Sequence, residues 1–331
     1  MTDLHRVWFE RPIVPELAAE VASRVTMLGP GTDDEPFVGL ATAAAVLAGT
    51  SRCDAGFMDR APGLQVIART GIGVDGVDLV EATRRGIAVT NTPDGPTVST
   101  AEHAVTLIMM VAKNVKRAES ALRAGVSNGY YVTHEAIELD GKVLGLVGFG
   151  RIARRVARIA DGIGMQVMTH DPFLPEASFP AGATRAGTLE ELLRAADVVS
   201  IHVPLTDASR GMFGSEQFGQ MKPGAIFVNT ARGGLVDGDA LLAALDGGRL
   251  FGAGLDVSFP EPLPPGHPLL GRDDVVVTPH IASGTTDGKA RIFRSAFEQA
   301  LDVLDGRRPE HLVNPEVWER VASGRGPGVG G

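Results

Sequence analysis

Short apolar runs alternate along the chain with segments in which apolar residues recur at helical spacing, a pattern typical of strands followed by helices. Before residue 91 the predicted strands are 6–9, 25–28, 43–47, 64–68 and 87–90, and the predicted helices are 14–24, 57–61 and 80–85. Because strands and helices alternate in this order, the pattern indicates a parallel sheet with helices packed against it.

A long segment, 97–117, is apolar on nearly every face and predicts a buried helix that connects two domains. The strand and helix alternation then resumes. The predicted strands of this part are 143–147, 165–170, 197–202, 225–229, 251–256 and 274–279, and the predicted helices are 151–163, 188–196 and 239–245.

The C-terminal helix, 286–304, and the segment 313–317 follow the last predicted strand, so we expect them to return to the first half of the chain. The predicted fold class is therefore α/β, with two Rossmann-like domains built on parallel sheets. The first domain, 1–98 plus 285–320, is discontinuous and flavodoxin-like. The second, 99–284, is doubly wound, and residues 321–331 are expected to form a flexible glycine-rich tail.

Composition and charge narrow the function classes. The chain has a formal net charge of −9, which argues against a general nucleic-acid-binding surface. Cys53 is the single cysteine, so neither an intramolecular disulfide nor a cysteine-built metal site is expected. No uncharged apolar run reaches the roughly 18 residues of a membrane span, and the N-terminus lacks the apolar core of a signal peptide. We expect a cytoplasmic, soluble protein that binds neither nucleic acid nor membrane and holds no metal.

A glycine motif follows the predicted strand 143–147. Gly148 allows a tight turn, Gly150 allows backbone to approach a pyrophosphate, and the helix that follows offers free N–H groups to that anion. Asp171 closes the next strand, at the spacing of an acid that binds a ribose diol, while the third glycine position of the motif is Ala153. We favour dinucleotide binding over a purely structural turn.

A second glycine loop, 69–78, directly follows the predicted strand 64–68. Loops at the carboxyl ends of parallel strands are where open α/β sheets bind ligands. Its Arg69, beside Ile72 and Gly73, favours contact with an anionic ligand over a plain connection between strand and helix.

Polar residues follow four consecutive predicted strands of the second half and should meet at one sheet edge: His202, Arg232, Asp256 with Glu261, and His280. Each alone is compatible with a solvated side chain or a turn. Together they suit oxidation of an alcohol beside a carboxylate. Arg232 can bind a carboxylate with two parallel hydrogen bonds, His280 can accept the hydroxyl proton, and Glu261 can orient the imidazole.

With these residues the chain resembles the D-isomer-specific 2-hydroxyacid dehydrogenases from about residue 64 to residue 283. The resemblance rests on the segments Gly71-Ile-Gly-Val-Asp75, Arg84-Arg-Gly-Ile87, Ala101-Glu-His103, Val147-Gly-Phe-Gly-Arg-Ile152, His202-Val-Pro-Leu-Thr206, Asn229-Thr-Ala-Arg-Gly233, Leu255-Asp-Val257, Glu261-Pro262 and Thr278-Pro-His-Ile-Ala-Ser283.

The resemblance implies a substrate-binding domain, an NAD-binding domain, a cleft that holds NAD and a small 2-hydroxy or 2-keto acid, and a homodimer formed through the NAD-binding domain. It assigns catalysis to Arg232, Glu261 and His280, and substrate binding to Arg69, Ile72, Gly73 and Arg232. The cofactor-binding residues it implies are Gly148, Gly150, Arg151, Ile152, Asp171, His202, Val203, Pro204, Thr230, Ala231, Asp256 and His280. An acid at position 171 favours NAD over NADP.

Within the family the chain looks most similar to the 3-phosphoglycerate dehydrogenases, in a short form without their regulatory domain. Two regions differ. Ala48 stands where some of those enzymes carry an arginine, with Arg52 as a possible substitute, and residues 128–134 replace a basic segment. Two alternatives therefore stay open: a member acting on an unusual substrate such as a phosphonate or phosphite, and an NAD-sensing binding protein similar to the family's corepressors.

Overall fold

The computed structural model describes residues 4–13, 15–126, 129–175, 179 and 183–319. The chain divides into two compact units, Met1–Pro96 with Thr285–Gly331, and Thr97–Gly284. The tail predicted at 321–331 lies outside the described residues.

The first unit contains a sheet of five parallel strands in the order β2-β1-β3-β4-β5. This is the flavodoxin-like order expected from the sequence. Its strands are β1 (Arg6–Phe9), β2 (Thr26–Leu28), β3 (Ala45–Ala48), β4 (Val66–Arg69) and β5 (Ala88–Thr90). Its helices are α1 (Pro15–Ala22), α2 (Ala55–Asp59), α3 (Leu79–Arg85) and, from the end of the chain, α11 (Thr286–Leu304).

Both faces of this sheet are buried at β1, β3, β4 and β5, which explains why these strands are continuous apolar runs instead of alternating ones. The edge strand β2 is largely exposed. Successive side chains of a strand point to opposite faces. Val7 and Phe9 pack with α1 and α11, while Trp8 between them packs with α2 and α3. Because α11 supplies Phe297 and its neighbours to this core, the C-terminal helix is an integral part of the first unit.

The second unit contains a sheet of seven parallel strands in the order β12-β11-β10-β9-β6-β7-β8. Its strands are β6 (Val143–Val147), β7 (Gln166–His170), β8 (Ala183–Arg185), β9 (Val198–Ile201), β10 (Ala225–Asn229), β11 (Leu250–Leu255) and β12 (Val275–Val277). Its helices are α4 (Thr97–Ala112), α5 (Val115–Arg123), α6 (Tyr130–Thr133), α7 (Arg151–Gly162), α8 (Leu189–Ala195), α9 (Ser215–Gln220) and α10 (Gly238–Asp246). The strand order reverses between β6 and β9, and ligands of open α/β sheets bind beyond the carboxyl ends of strands at such a point.

Helices cover both faces of the second sheet. α4 and α7 pack on one face, with Leu144 and Leu146 of β6 in the shared core. On the other face α8 approaches β6 so closely that a Cβ at Gly145 would lie 2.6 Å from Leu192 Cδ2 and 2.8 Å from Ala196 Cβ. Only glycine at position 145 permits this helix-to-strand distance.

The structure differs from the local predictions at four places. The helix predicted at 97–117 is two helices, because Asn114 adopts a left-handed conformation (φ 48°) between α4 and α5. The short strand β8 and the short helices α6 and α9 were not predicted. In β8, Thr184 and Arg185 are exposed, so the edge strand lacks an apolar signature.

A helix that crosses a membrane must be both long and apolar. The longest, α11, has 19 residues but carries charged side chains along its length, including Lys289, Arg294 and Glu298. Across the described ranges, none of the helices is long and apolar enough to cross a bilayer.

Candidate active site

The glycine motif forms a tight connection between β6 and α7. Gly148 has φ +87°, and a Cβ there would lie 2.8 Å from the carbonyl oxygen of His202. Gly150 is the N-cap of α7, and within 4 Å of its Cβ position no heavy atom of the described residues is found beyond its own neighbours. The space beside Gly150 is therefore open at the N-terminus of α7, and a helix N-terminus stabilises an anion.

Asp171 lies directly after β7 and is oriented by this turn. One carboxylate oxygen accepts a hydrogen bond from the N–H of Phe149 (2.9 Å), and the other accepts one from Phe173 (3.0 Å). Each oxygen keeps a lone pair that can accept from a hydroxyl. An anion cradle with an acceptor pair on the next strand fits the pyrophosphate and the ribose diol of NAD.

His202, Val203 and Pro204 follow β9, the neighbour of β6. Val203 approaches the turn, since its Cγ1 would lie 2.8 Å from a Cβ at Gly148. His202 contacts Ser200 Oγ through Nε2 at 3.0 Å. Burial lowers the pKa of the His202 imidazole to about 4, so the ring is neutral at neutral pH even though part of the residue reaches the surface.

The loop after β10 carries Thr230, Ala231 and Arg232 and is tied down by buried Asn229. The Asn229 side chain accepts from the N–H of Ala231 (2.9 Å) and donates to the carbonyl of Arg232 (2.9 Å). At the next position, Gly233, a Cβ would lie 1.9 Å from the carbonyl oxygen of Ser258. Glycine there lets the loop of Arg232 approach the loop of Glu261.

Glu261 and His280 are in direct contact. Nδ1 of His280 lies 2.5 Å from Oε1 of Glu261, and the other carboxylate oxygen faces the N–H of Ser258 at 3.4 Å. Both side chains are partly exposed, at 39% for His280 and 36% for Glu261, so a small ligand can reach them.

Opposing effects set the pKa of Glu261. Partial burial raises it, but the hydrogen bond and the charge of His280, the N–H of Ser258 and the positive charge of Arg232 together hold the pKa below its usual value. Glu261 is therefore ionised at neutral pH. The influence of Arg232 on this carboxylate also places the guanidinium within electrostatic range of the Glu261–His280 pair.

The loop that carries His280 is anchored by Asp256, which is 1% exposed. The Asp256 carboxylate accepts from the N–H groups of Ile281 (2.9 Å) and Ala282 (2.8 Å) and from the Thr278 hydroxyl (2.6 Å). Burial would raise the pKa of Asp256, but hydrogen bonds from His103, Thr278 and these two N–H groups lower it overall. The carbonyl of Asp256 accepts from the N–H of His280 at 2.7 Å.

The first unit holds the other predicted ligand-binding loop. Nε of Arg69 donates to the carbonyl of Gly73 at 3.2 Å, and Asn91 donates to the carbonyl of Ile72 at 2.8 Å. These two bonds fix the loop after β4. Arg52, in contrast, is 85% exposed, and its Nε lies 3.8 Å from Oδ2 of Asp54.

Several residues that build the site were not predicted individually: Asn229, Gly233, Ser258, Thr278 and His103. All but Ser258 lie within the sequence segments that carry the family resemblance. These segments therefore contained a signal for the four residues, although the predictions assigned a role only to other residues. Among the described residues, no group of three His, Cys, Asp or Glu side chains is arranged to hold a metal ion.

The NAD-binding domain of the D-isomer specific 2-hydroxyacid dehydrogenases matches this chain over residues 105–282. The chain is 41% identical over 270 residues to a glyoxylate reductase of Korarchaeum cryptofilum, covering 81% of each chain. It is 37% identical over 271 residues to a D-3-phosphoglycerate dehydrogenase of Archaeoglobus fulgidus, covering 82% of this chain and 51% of that one. It thus spans about half the length of that relative.

A solved structure is similar throughout. The D-lactate dehydrogenase of Aquifex aeolicus, crystallised with NAD and lactic acid, superposes with a TM-score of 0.82 at 28% identity, covering 94% of this chain and 99% of that one. The likeness extends over both units and therefore over the sheet edge that carries Arg232, Glu261 and His280.

Proposed function

Since the chain belongs to the D-isomer specific 2-hydroxyacid dehydrogenase family, we propose that it catalyses NAD-dependent interconversion of a small 2-hydroxy acid and its 2-keto acid. The observation that carries the proposal is the ionised Glu261 in contact with His280 at 2.5 Å, with Arg232 in electrostatic range. A positive group for a carboxylate and a titratable group for a hydroxyl proton are what this reaction requires.

Glu261 fixes the protonation pattern of His280. Because the carboxylate can only accept, Nδ1 of the imidazole carries the proton that is shared with Oε1. Nε2 is then the atom that exchanges a proton with the substrate oxygen: it donates during reduction and accepts during oxidation. Glu261 stabilises the charged ring that forms in the oxidation direction.

Arg232 is proposed to bind the substrate carboxylate. A guanidinium can donate two parallel hydrogen bonds to a carboxylate, which fixes the orientation of the neighbouring carbonyl carbon. Asn229 and Gly233 hold the backbone of this loop, so Arg232 presents its side chain from a rigid support. When bound, NAD supplies or accepts the hydride.

NAD is proposed to contact Gly148, Gly150, Arg151 and Ile152 through its pyrophosphate and Asp171 through its ribose. The strand-end residues His202, Val203, Pro204, Thr230, Ala231, Asp256 and His280 are proposed to line the remainder of its site. For Asp256 such a contact would add to the hydrogen bonds that its carboxylate already makes with the loop of His280.

We propose substrates without a phosphate group. In the first unit Arg69, Ile72 and Gly73 are the proposed substrate-binding residues, and β3 ends beside Arg69, since Ala48 pairs with Arg69 in the sheet. The Glu10 carboxylate accepts hydrogen bonds from the N–H groups of residues 49–51 just after β3. A negative charge that already occupies these donors disfavours a second anionic group there.

The test is an NADH oxidation assay with the full chain on glyoxylate, hydroxypyruvate, pyruvate and phosphohydroxypyruvate. The proposal predicts turnover of at least one 2-keto acid and a higher kcat/KM for the unphosphorylated ones. His280→Asn should lower kcat by on the order of a hundredfold or more while NADH still binds. If the protein binds NADH and reduces none of these acids, the proposed activity is wrong.

We further propose that the protein works as a homodimer in the cytoplasm, without nucleic-acid or membrane partners. Exposed apolar side chains on α5 and α6 support self-association through the second unit: Leu122 is 68% exposed, Tyr131 97% and Val132 86%. One chain has a mass of 34.6 kDa, and light scattering after gel filtration should give twice that mass. Tyr131→Glu should favour the monomer, and a monomeric wild type at micromolar concentration would contradict the dimer.

A further inference from the structure

His103, on α4 and outside the proposed reacting groups, is connected to the loop of His280 by hydrogen bonds. Nε2 of His103 lies 2.9 Å from Thr278 Oγ1 and 3.4 Å from Asp256 Oδ1. Its side chain is 19% exposed. We propose that His103 is a positioning residue for the acid–base group: through Thr278 and Asp256 it holds the loop 278–282 in the conformation that presents His280 to Glu261.

The direction of each hydrogen bond follows from a count of protons. Thr278 Oγ1 lies 2.6 Å from Asp256 Oδ1, and an ionised carboxylate can only accept, so the Thr278 hydroxyl donates its proton to Asp256. Thr278 then has only lone pairs to offer to His103. Nε2 of His103 must therefore carry a proton and donate it, which fixes the ring in a form protonated at Nε2.

The same network holds the backbone of His280 and of the two residues that follow it. Asp256 accepts from the N–H groups of Ile281 and Ala282 through its carboxylate and from that of His280 through its carbonyl. His280 has φ 54°, a left-handed conformation that is unfavourable for a non-glycine residue and persists only where its surroundings impose it. The network supplies that constraint, and in this backbone conformation the His280 ring contacts Glu261.

Removal of the Nε2 donor leaves the hydroxyl of Thr278 and the carboxylate of Asp256 without their partner on α4. The loop can then relax from its left-handed turn, and the contact between His280 and Glu261 loosens. A displacement of about 1 Å at a reacting group can lower turnover by about a hundredfold. Binding of NADH should change less than turnover, because the glycine turn and Asp171 belong to other strands, whereas Asp256 and His280 are proposed to line only part of the NAD site.

The experiment compares His103→Leu, which removes the donor, with His103→Gln, whose side-chain amide can place a donor near the Nε2 position. Thr106→Val serves as the control, because Thr106 lies on the same helix and is exposed. Within the described chain its hydroxyl donates a hydrogen bond only to the carbonyl of Glu102. For each variant one measures kcat and KM for 2-keto acid reduction, the Kd for NADH, and amide hydrogen exchange of residues 281 and 282.

This proposal rests on the proposed dehydrogenase activity, and the two fail differently. For His103→Leu we expect kcat to fall on the order of tenfold to a hundredfold, with a smaller change in the NADH Kd and with exchange at residues 281 and 282 at least about tenfold faster. His103→Gln should restore most of both. Wild-type behaviour of His103→Leu, or equal damage in His103→Gln, would overturn the positioning role. An inactive wild type would contradict only the proposed dehydrogenase activity, since hydrogen exchange would still test whether His103 holds the loop 278–282.

If His103→Leu does not fold, the pair Thr278→Ser and Thr278→Val takes its place. Serine keeps both hydrogen bonds of the hydroxyl, and valine removes both at nearly constant volume. The proposal expects Thr278→Ser to retain turnover and slow exchange, and Thr278→Val to lose both. Equal turnover in the two variants would refute the network.

Discussion

Gly150→Ala tests whether Gly150 is needed for folding stability or for binding of the pyrophosphate. Gly150 has φ −75° and ψ −165°, which alanine adopts freely, and the position of the added methyl is open within 4 Å in the described chain. Folding stability should therefore stay constant or rise by up to about 1 kcal/mol, because alanine restricts the unfolded chain. The methyl would occupy the space that the pyrophosphate needs above α7.

The expected loss of affinity follows from the hydrogen bonds that the methyl would displace. Charge-assisted bonds from backbone N–H groups contribute roughly 1.5–3 kcal/mol each, and a helix N-terminus adds up to about 1 kcal/mol. A net loss of about 2–4 kcal/mol raises the NADH Kd by about 30-fold to 1,000-fold.

Calorimetric or fluorescence titration with NADH, beside thermal denaturation, measures both effects. Gly238→Ala is the matched control, since Gly238 opens α10 and its Cβ position is equally clear. That change should leave the NADH Kd within about twofold of wild type and stabilise the helix slightly. A Gly150→Ala protein that binds NADH as tightly as wild type would refute the placement of the pyrophosphate.

Three further changes test other parts of the site. Gly233→Ala puts a methyl 1.9 Å from the Ser258 carbonyl oxygen, so it should lower the free energy of unfolding by about 1–3 kcal/mol. It should also lower kcat more than it weakens NADH binding, and an equal loss of both would contradict the proposal that this loop positions Arg232. Asp171→Ala should reduce the ratio of kcat/KM with NADH to that with NADPH, and an unchanged ratio would place the selecting group elsewhere. Burial would raise the pKa of Glu10, but hydrogen bonds from three backbone N–H groups and from the Thr50 hydroxyl lower it below 4.5 overall. The ionised Glu10 therefore stabilises the fold above about pH 4.5, and this stabilisation is lost as the pH falls through the pKa of the folded state. Glu10→Gln should thus be less stable than wild type by about 1–3 kcal/mol at pH 7 and nearly equal to it in acid, as urea titrations at both pH values would show.

The sheet topology could be predicted because parallel strands buried on both faces leave apolar runs in the sequence. Polar residues after β9, β10, β11 and β12 meet at one edge since these strands are neighbours in the sheet. Local patterns failed where a distant residue decides the conformation. Asn114, which ends α4 in a left-handed turn, donates to the carbonyl of Glu135, and no pattern around residue 114 reveals that partner.

Dependence on distant residues also explains which parts of the site could not be predicted. Arg232, Glu261 and His280 have side chains whose chemistry suggests a reaction, so sequence alone pointed to them. The groups that orient them act through backbone atoms or through close approach. Gly233 matters because Ser258 is 1.9 Å from its missing Cβ, and Asp256 matters because it accepts from the N–H groups of residues 281 and 282. Such distances exist only in the folded chain.

The central claim is transfer of hydride between NAD and C2 of a 2-hydroxy acid, with His280 handling the proton. Reduction of hydroxypyruvate or pyruvate with NADH deuterated at C4 of the nicotinamide, followed by chiral analysis and mass spectrometry of the product, tests it most directly. We predict a 2-hydroxy acid of D configuration that carries deuterium at C2 when the transferred position is labelled, and no such product from His280→Asn on the same timescale. An L product, or a product without deuterium from either label position, would contradict the account.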